Sequence, residues 1–301
     1  MDEVLTSIII VNYKTQYLVL DTIESIIQQT INISYEIIVV DNDSKDNSRT
    51  LIYGRYKDTV TYMSLPDNLG FGKANNEGAK VAKGKYLFFL NPDTILISNA
   101  VYFLSIFMEN NPSTGICGGN LFTKELKPTH SCMPIQPSVF LELDSLLNHI
   151  PLILAHGIKF DFNTSDKPLK VADIIGADIM IRADLFRTLN GFDPDFFLYF
   201  EETELAYRVQ KSGYSVYSVP DAKIIHLEGK SSESKISERK YALISRKLYY
   251  KKTQKFANRI IIDLIFMTKC IVLIFCSIVS FNKAYVKYWL FALKNGMIEL
   301  W

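Results

Sequence analysis

The chain has 301 residues, 48% of them apolar, which is enough to bury a sizeable core and argues against both a disordered protein and a small disulfide-stapled scaffold. Its 33 Lys and Arg nearly cancel its 32 Asp and Glu, so no global basic field invites nucleic acid. Four cysteines, Cys117, Cys132, Cys270 and Cys276, lack metal-ligand spacing and are expected as reduced thiols.

Met1-Asp2-Glu3 runs straight into an apolar segment, so no signal peptide is expected and the cytoplasmic side is the expected place of residence. Residues 7–12 read as a β-branched strand, 17–29 have helical periodicity, and 36–40 form a second strand ending at Asp41. This is a βαβ unit. A polar loop, Asp41-Asn42-Asp43-Ser44, leads to a helix from about Ser48, and 60–64 make a third strand. Asn68-Leu69-Gly70-Phe71-Gly72-Lys73 then opens a helix to about Lys83, which Gly84 ends. Strands alternating with helices predict an α/β fold with a doubly wound, mostly parallel sheet.

Tyr86-Leu87-Phe88-Phe89-Leu90 fits a strand covered on both faces, and it stops at Asn91-Pro92-Asp93-Thr94. Ligands of open α/β sheets bind beyond the carboxyl ends of the strands, where Asp93 can hold a divalent cation against a diphosphate. The same four residues also suit a plain turn in which Asp93 caps the next helix. The glycine-bearing helix start offers backbone N–H groups to phosphate. Asp41, Asn42, Asn68 and Asn75 can hydrogen-bond a base or ribose, and Tyr13 can stack on a base. Asn12-Tyr13-Lys14 contains no glycine, so the dinucleotide fingerprint is absent and a nicotinamide enzyme is not expected.

Residues 115–170, with Pro128, Pro134, Pro137 and Pro151, read as an insertion over the site. Residues 173–181 form a strand whose Gly176 and Ala177 allow close approach of a ligand or backbone. A helix from Ala183 and a turn at Gly191-Phe192-Asp193 follow. The aromatic run 196–200 then leads directly into Glu201-Glu202, setting a carboxyl group against apolar walls where its pKa can rise and make it a general base. The competing reading is structural: acidic residues at the positive end of a helix beginning near Glu201, with Glu204 and Arg208 as a four-spaced ion pair. Strand 213–220 precedes a short strand ending at His226, beside Gly229-Lys230-Ser231-Ser232. That histidine is either a metal or diphosphate ligand or a satisfied structural residue.

The tail changes character. Residues 235–259 hold nine Lys or Arg and one acidic residue, Glu238, and 260–281 are apolar apart from Asp263, Lys269 and a few small polar groups. Helices lying in a membrane interface are expected, the alternative being an amphipathic pair packed on the catalytic domain or in a dimer. No nucleic-acid recognition motif accompanies these charges.

Residues 7–12, Val39-Val40-Asp41-Asn42-Asp43-Ser44, Asn68 to Gly72, Asn91-Pro92-Asp93, Gly191-Phe192-Asp193 and 197–208 together resemble the inverting glycosyltransferases of family two. The resemblance covers about residues 5–232, and the rhamnosyltransferase-like members share the Asn-Pro-Asp variant. It implies a GT-A fold, a nucleotide-diphosphate sugar donor and Mg²⁺ or Mn²⁺. A catalytic domain over 1–234 would have its donor half at about 1–115 and its acceptor half at about 116–234, followed by a helical appendage over 235–301. The implied donor-binding set is Val11, Tyr13, Asp41, Asn42, Asn68, Gly70, Lys73, Asn91 and Pro92. Asp93 resembles the metal-binding carboxylate, His226 the histidine completing that site, and Glu202, after Glu201, stands where the family's catalytic aspartate does. The implied activity is inverting transfer of a sugar, from dTDP-rhamnose or a UDP-sugar, to a lipid-linked or polysaccharide acceptor in cell-surface glycan synthesis. Either glutamate is open as the base, and a homo-oligomer and peripheral contact with the inner membrane face are further expectations. A non-catalytic nucleotide-sugar-binding subunit is the alternative.

Overall fold

A computed structural model of the protein describes residues 4–147, 150, 161–227 and 235–299. The acidic start, residues 229–232 and part of the 115–170 stretch lie outside the described residues. The chain opens with strand β1 (Thr6–Asn12), helix α1 (Gln16–Gln29), β2 (Tyr35–Asp41), α2 (Ser48–Tyr56), β3 (Val60–Ser64), α3 (Phe71–Val81) and β4 (Tyr86–Leu90). Next come β5 (Thr94–Leu96), α4 (Ala100–Asn110), β6 (Thr114–Phe122), β7 (Cys132–Met133), α5 (Val139–Leu146), β8 (Leu169–Val171), β9 (Asp173–Ile174) and β10 (Asp178–Arg182). The remainder is α6 (Ala183–Thr188), α7 (Glu201–Lys211), β11 (Ser215–His226), α8 (Lys235–Thr253), α9 (Phe256–Val279) and α10 (Lys283–Asn295). Two compact units result. One holds every described strand with α1–α4, α6 and α7, and the other holds α5, α8–α10 and Leu198–Phe200.

In the first unit the main sheet runs β3-β2-β1-β4-β10-β6-β11-β5, with β8 on β11. The β3, β2, β1 and β4 strands are parallel, β10 is antiparallel to both its neighbours, and β6 and β11 are again parallel. Alternation sorts the side chains. Ile8 and Ile10 of β1 pack with Val19 and Ile23 of α1 on one face, while Ile9 and Val11 pack with Ala74 and Ala79 of α3 on the other. Every residue of β1 and β4 is buried, as strands covered on both faces must be.

Three expectations change. The strand expected over 173–181 is two strands, because the chain turns at 175–177 and β9 pairs with β7 while β10 enters the main sheet. The strands expected on either side of Asp221 are one, β11, kept continuous by a register shift between Ser218 and Lys223. The expected insertion begins as β6, a central strand.

Long-range side-chain clamps join the elements around the crevice. Asn76 of α3 donates to Phe192 O at 2.8 Å and accepts from Phe192 N at 2.9 Å, fixing the Gly191-Phe192 turn. Phe192 in turn packs edge-on to Phe71, Phe89 and Phe186. From the other side Arg208 donates to Leu189 O at 2.7 Å and Gly191 O at 2.8 Å while its Nε reaches Glu204 at 2.8 Å. The four-spaced Glu204–Arg208 pair is therefore present.

In the second unit, Arg246 and Tyr250 of α8 both donate to Glu142 of α5 at 2.8 Å, and the guanidinium lies 4.2 Å from the Phe266 ring centre. Asp263, fully buried, accepts from Ile298 N and Glu299 N at 2.7 Å.

Replacing Asn76 with Ala removes both bonds to Phe192 and is expected to cost about 2 kcal/mol in chemical denaturation. An unchanged midpoint and slope would contradict the clamp.

Candidate active site

The carboxyl ends of β1 and β4 lie where the strand order reverses, the place at which doubly wound sheets bind ligands. Asn12 ends β1 fully buried, its amide nitrogen within 3.1 Å of Asp41 Oδ1, 3.0 Å of Ser44 Oγ and 2.9 Å of Ser48 Oγ. Its oxygen accepts from the Thr15 hydroxyl at 2.9 Å. The Asp41 loop is thus built around a residue to which the sequence reading assigned no role. Asn42 donates to Asn68 Oδ1 at 2.9 Å and Gly70 O at 3.3 Å and accepts from Leu69 N at 2.9 Å. Its side chain holds the 68–70 loop, so it shapes the pocket from within.

Gly70, with φ +83°, carries the chain into α3. A Cβ there would lie 2.2 Å from Phe197 O, which accepts from Phe71 N at 3.0 Å, so only glycine satisfies both the dihedral and the approach. No side chain caps α3, and Lys73 stands in its first turn, a setting that attracts anions. Tyr13 is partly exposed, with Lys14 Nζ 4.9 Å from its ring centre. Val11, also in the expected set, has its side chain buried in the sheet core.

Beyond β4 the turn is held at each step. Asn91 N donates to Ala177 O at 2.9 Å, the Thr94 hydroxyl to Asn91 O at 2.7 Å, the Thr22 hydroxyl to Pro92 O at 2.8 Å, and Leu227 N to Asp93 O at 2.9 Å. β4 stops at Leu90, so Asp93 sits three residues past its end, at the entry to β5. The next helix, α4, follows Asn99, so Asp93 caps no helix. Asp93 is 1% exposed, and neither of its carboxylate oxygens accepts a hydrogen bond from the described residues. His226 Nε2 lies 3.4 Å from Oδ1, and His226 Nδ1 has no hydrogen-bond partner among the described residues. The strand pairing of His226 with Thr94 enforces this meeting of residues far apart in sequence. A buried carboxylate without donors fits a cation: Mg²⁺ or Mn²⁺ takes one or two protein ligands and completes its shell with water and phosphate oxygens. Among the described residues no third His, Cys, Asp or Glu joins them.

At the start of α7, Tyr199 and Phe200 have φ of +70° and +67°, two consecutive left-handed non-glycine residues immediately before Glu201. Glu201 is buried with Oε2 unpartnered, and burial followed by the charge of Glu202 pushes its carboxyl well above the usual range. Glu202 is more accessible. Gly176 leaves space beside it, since a Cβ on that glycine would stand 3.7 Å from the Glu202 carboxyl carbon. Burial pushes Glu202 up to about 7. Asp173 is a third carboxyl of this cluster, raised first by burial and then by Glu202, and it accepts a hydrogen bond from the Thr203 side chain. Sequence reading placed Asp173 on a strand and gave it no part, because the turn at 175–177 that sets it beside α7 has no strong signature.

The model for glycosyl transferase family 2 matches residues 7–188. The chain belongs to that family. Over 100 residues it is 36% identical to the poly(ribitol-phosphate) β-N-acetylglucosaminyltransferase TarP of Staphylococcus aureus, covering 32% of this chain and 31% of the relative. Over 114 residues it is 31% identical to the UDP-Glc:α-D-GlcNAc-diphosphoundecaprenol β-1,3-glucosyltransferase WfgD of Escherichia coli, covering 38% and 45%. The chain therefore spans less than half the length of these curated relatives. The crystal structure of GalNAc-T7 with UDP, GalNAc and Mn²⁺ superposes with a TM-score of 0.59 at 17% identity, over 83% of this chain and 48% of that one. That of S. aureus TarS 1–349 gives 0.53 at 11% identity, over 88% and 80%. The fold of this family 2 chain is GT-A.

A carboxyl whose folded-state pKa is raised favours folding only while protonated, so the Glu202 contribution is lost as pH rises from about 4.5 to about 7. Glu202→Gln is expected to leave the melting temperature unchanged near pH 4.5 and to raise it by roughly a few degrees at pH 8. Equal shifts at both pH values in differential scanning calorimetry would contradict the burial assigned to this carboxyl.

Proposed function

We propose that the protein is an inverting glycosyltransferase that moves a sugar from a nucleotide-diphosphate donor to a hydroxyl of a lipid-linked or polysaccharide acceptor in cell-surface glycan synthesis. One observation carries the reading most: the buried, donor-free Asp93 carboxylate beside His226 at the switch point of a family 2 chain. The relatives named above, a poly(ribitol-phosphate) and a diphosphoundecaprenol-linked glycosyltransferase, support the glycan context. In this reading residues 1–234 form the catalytic domain and 235–301 contact the inner membrane face. The Asn91-Pro92-Asp93 variant favours dTDP-rhamnose, with UDP-sugars as the other donor class.

Asp93 and His226 would hold Mg²⁺ or Mn²⁺, and the bound ion would neutralise charge on the diphosphate leaving group. The Asp41 and 68–70 loops would receive the base and ribose, Tyr13 stacking on the base. The first turn of α3 with Lys73 would face phosphate. Glu202 is the base in preference to Glu201, because it is the more accessible carboxyl. Its carboxylate takes the acceptor hydroxyl proton while that oxygen bonds to the anomeric carbon. The bond from that carbon to the diphosphate breaks with its electron pair on the phosphate oxygen. The configuration at the anomeric carbon inverts.

Glu202→Gln is expected to keep donor affinity and lower kcat by roughly 10²–10⁴-fold. In the wild type kcat/KM should rise with pH through about 7, as the base loses its proton. Transfer that survives in Glu202→Gln and is lost in Glu201→Gln would move the base by one residue. Asp93→Ala should abolish metal-dependent donor binding in calorimetric titration with Mn²⁺, and retained affinity would remove the metal role from Asp93.

A further inference from the structure

The apolar helix α9 is long and apolar enough to cross a bilayer by length and composition. Its three charges point the other way, and the first, Arg259, pairs with Glu299 at 2.9 Å. Asp263 is fully buried and receives the Ile298 and Glu299 amides, and Lys269 donates to the Ser145 hydroxyl, so both are spent inside the second unit. The opposite side of the helix carries Ile261, Leu264, Ile271, Phe275 and Ile278, all exposed. This uncharged stripe runs to the turn into α10.

That turn is unusual in one residue. Asn282 N donates to Ser277 O at 2.9 Å and Phe281 N to Ile278 O at 3.0 Å, the paired bonds of a Schellman helix end. The position between them requires the left-handed conformation and is normally glycine, yet it is Phe281, with φ +55°. Its ring is 92% exposed, flanked by Phe275 and Val279 at 67% and 62%. A large aromatic is thus held in a strained backbone and pushed out of the fold, with no packing return within it. Residues 239–299 also carry twelve Lys or Arg against two carboxylates. Both carboxylates are engaged internally, Asp263 by the amides above and Glu299 by Arg259 at 2.9 Å. From residue 264 to 298 the chain has four Lys and no Asp or Glu, and Lys283, Lys287 and Lys294 are exposed, so α10 and the turn that leads into it are cationic. A second copy would set cations against cations, whereas an anionic bilayer supplies the missing charge and the missing apolar cover together.

We propose that the α9–α10 hairpin tip inserts Phe281 and its apolar neighbours into an anionic bilayer, with α9 lying along the surface instead of spanning. This deepens the membrane contact proposed above and is independent of the sugar-transfer chemistry.

The test is vesicle co-sedimentation of the full chain with phosphatidylcholine alone and with phosphatidylcholine containing 30 mol% phosphatidylglycerol (about 30% as a working choice that charges the surface). The wild type should bind the anionic vesicles and lose binding in high salt. Phe281→Gly should bind roughly tenfold more weakly, because one buried aromatic is lost, while its melting temperature rises, because glycine relieves the left-handed residue. Phe281→Trp should gain fluorescence quenching by brominated lipid over the wild-type background. Wild-type binding that Phe281→Gly leaves intact would overturn the tip while sparing the membrane placement; absence of wild-type binding would overturn both. A lipid-free dimer that Phe281→Gly dissociates would assign the surface to a second copy. Donor hydrolysis in solution, measured alongside, should be equal in both proteins.

Discussion

A carboxylate buried to 1% exposure, with no hydrogen bond to either oxygen from the described residues, is the constraint around which the candidate site is arranged. Desolvating such a group costs of order several kcal/mol unless opposite charge compensates it. The surrounding structure is built to keep it there. Ala177, Thr22 and Leu227 each hold a backbone atom of the 91–93 turn, and the β5–β11 pairing brings His226 to within 3.4 Å of Oδ1. Among the described residues, the Asp93 oxygens at the carboxyl end of the sheet accept no hydrogen bond and have only the His226 imidazole beside them.

A second theme is that loops distant in sequence are locked by amide side chains instead of by packing alone. Asn12 gathers Asp41, Ser44 and Ser48; Asn42 holds the 68–70 loop; Asn76 and Arg208 close on the Gly191-Phe192 turn from two sides. Such bonds fix loop geometry to a few tenths of an ångström, which is what recognition of a nucleotide and alignment of a base require. The carboxyl cluster of Glu201, Glu202 and Asp173 sits on the same scaffold; burial raises all three, and the charge of Glu202 raises Glu201 and Asp173 further.

Much of this was legible in the sequence where local chemistry and fold agree. The apolar runs of β1, β2 and β4, the glycine opening α3, the stop at Asn91-Pro92 and the start of α7 at Glu201 all follow from residue type and spacing. The misses have physical reasons. β6 holds Gly115, Gly118 and Gly119, which weaken a strand signal; yet a Cβ at Gly119 would stand 2.3 Å from Ala222 O and one at Gly118 2.3 Å from Ile174 Cγ2, so glycine is what lets the strand sit centrally. The break between β9 and β10 is fixed by pairing partners elsewhere in the chain, which periodicity within the segment does not record. Asn12 and Asp173 acquire their roles from neighbours about thirty residues away in sequence, as the Asn12–Asp41 and Asp173–Glu202 proximities show. Asp263 and Lys269, the charges that interrupt the apolar run of α9, are internal anchors, which composition alone does not show.

The central claim is that the Asp93–His226 corner receives a cation together with a nucleotide diphosphate. Its most direct measurement is a thermal-shift panel of UDP-, dTDP- and GDP-sugars with the wild-type protein, in Mn²⁺ and in EDTA. Stabilisation by a single donor in Mn²⁺ that disappears in EDTA is the predicted result and would name the sugar. Equal stabilisation in both, or none by any donor, would contradict the account.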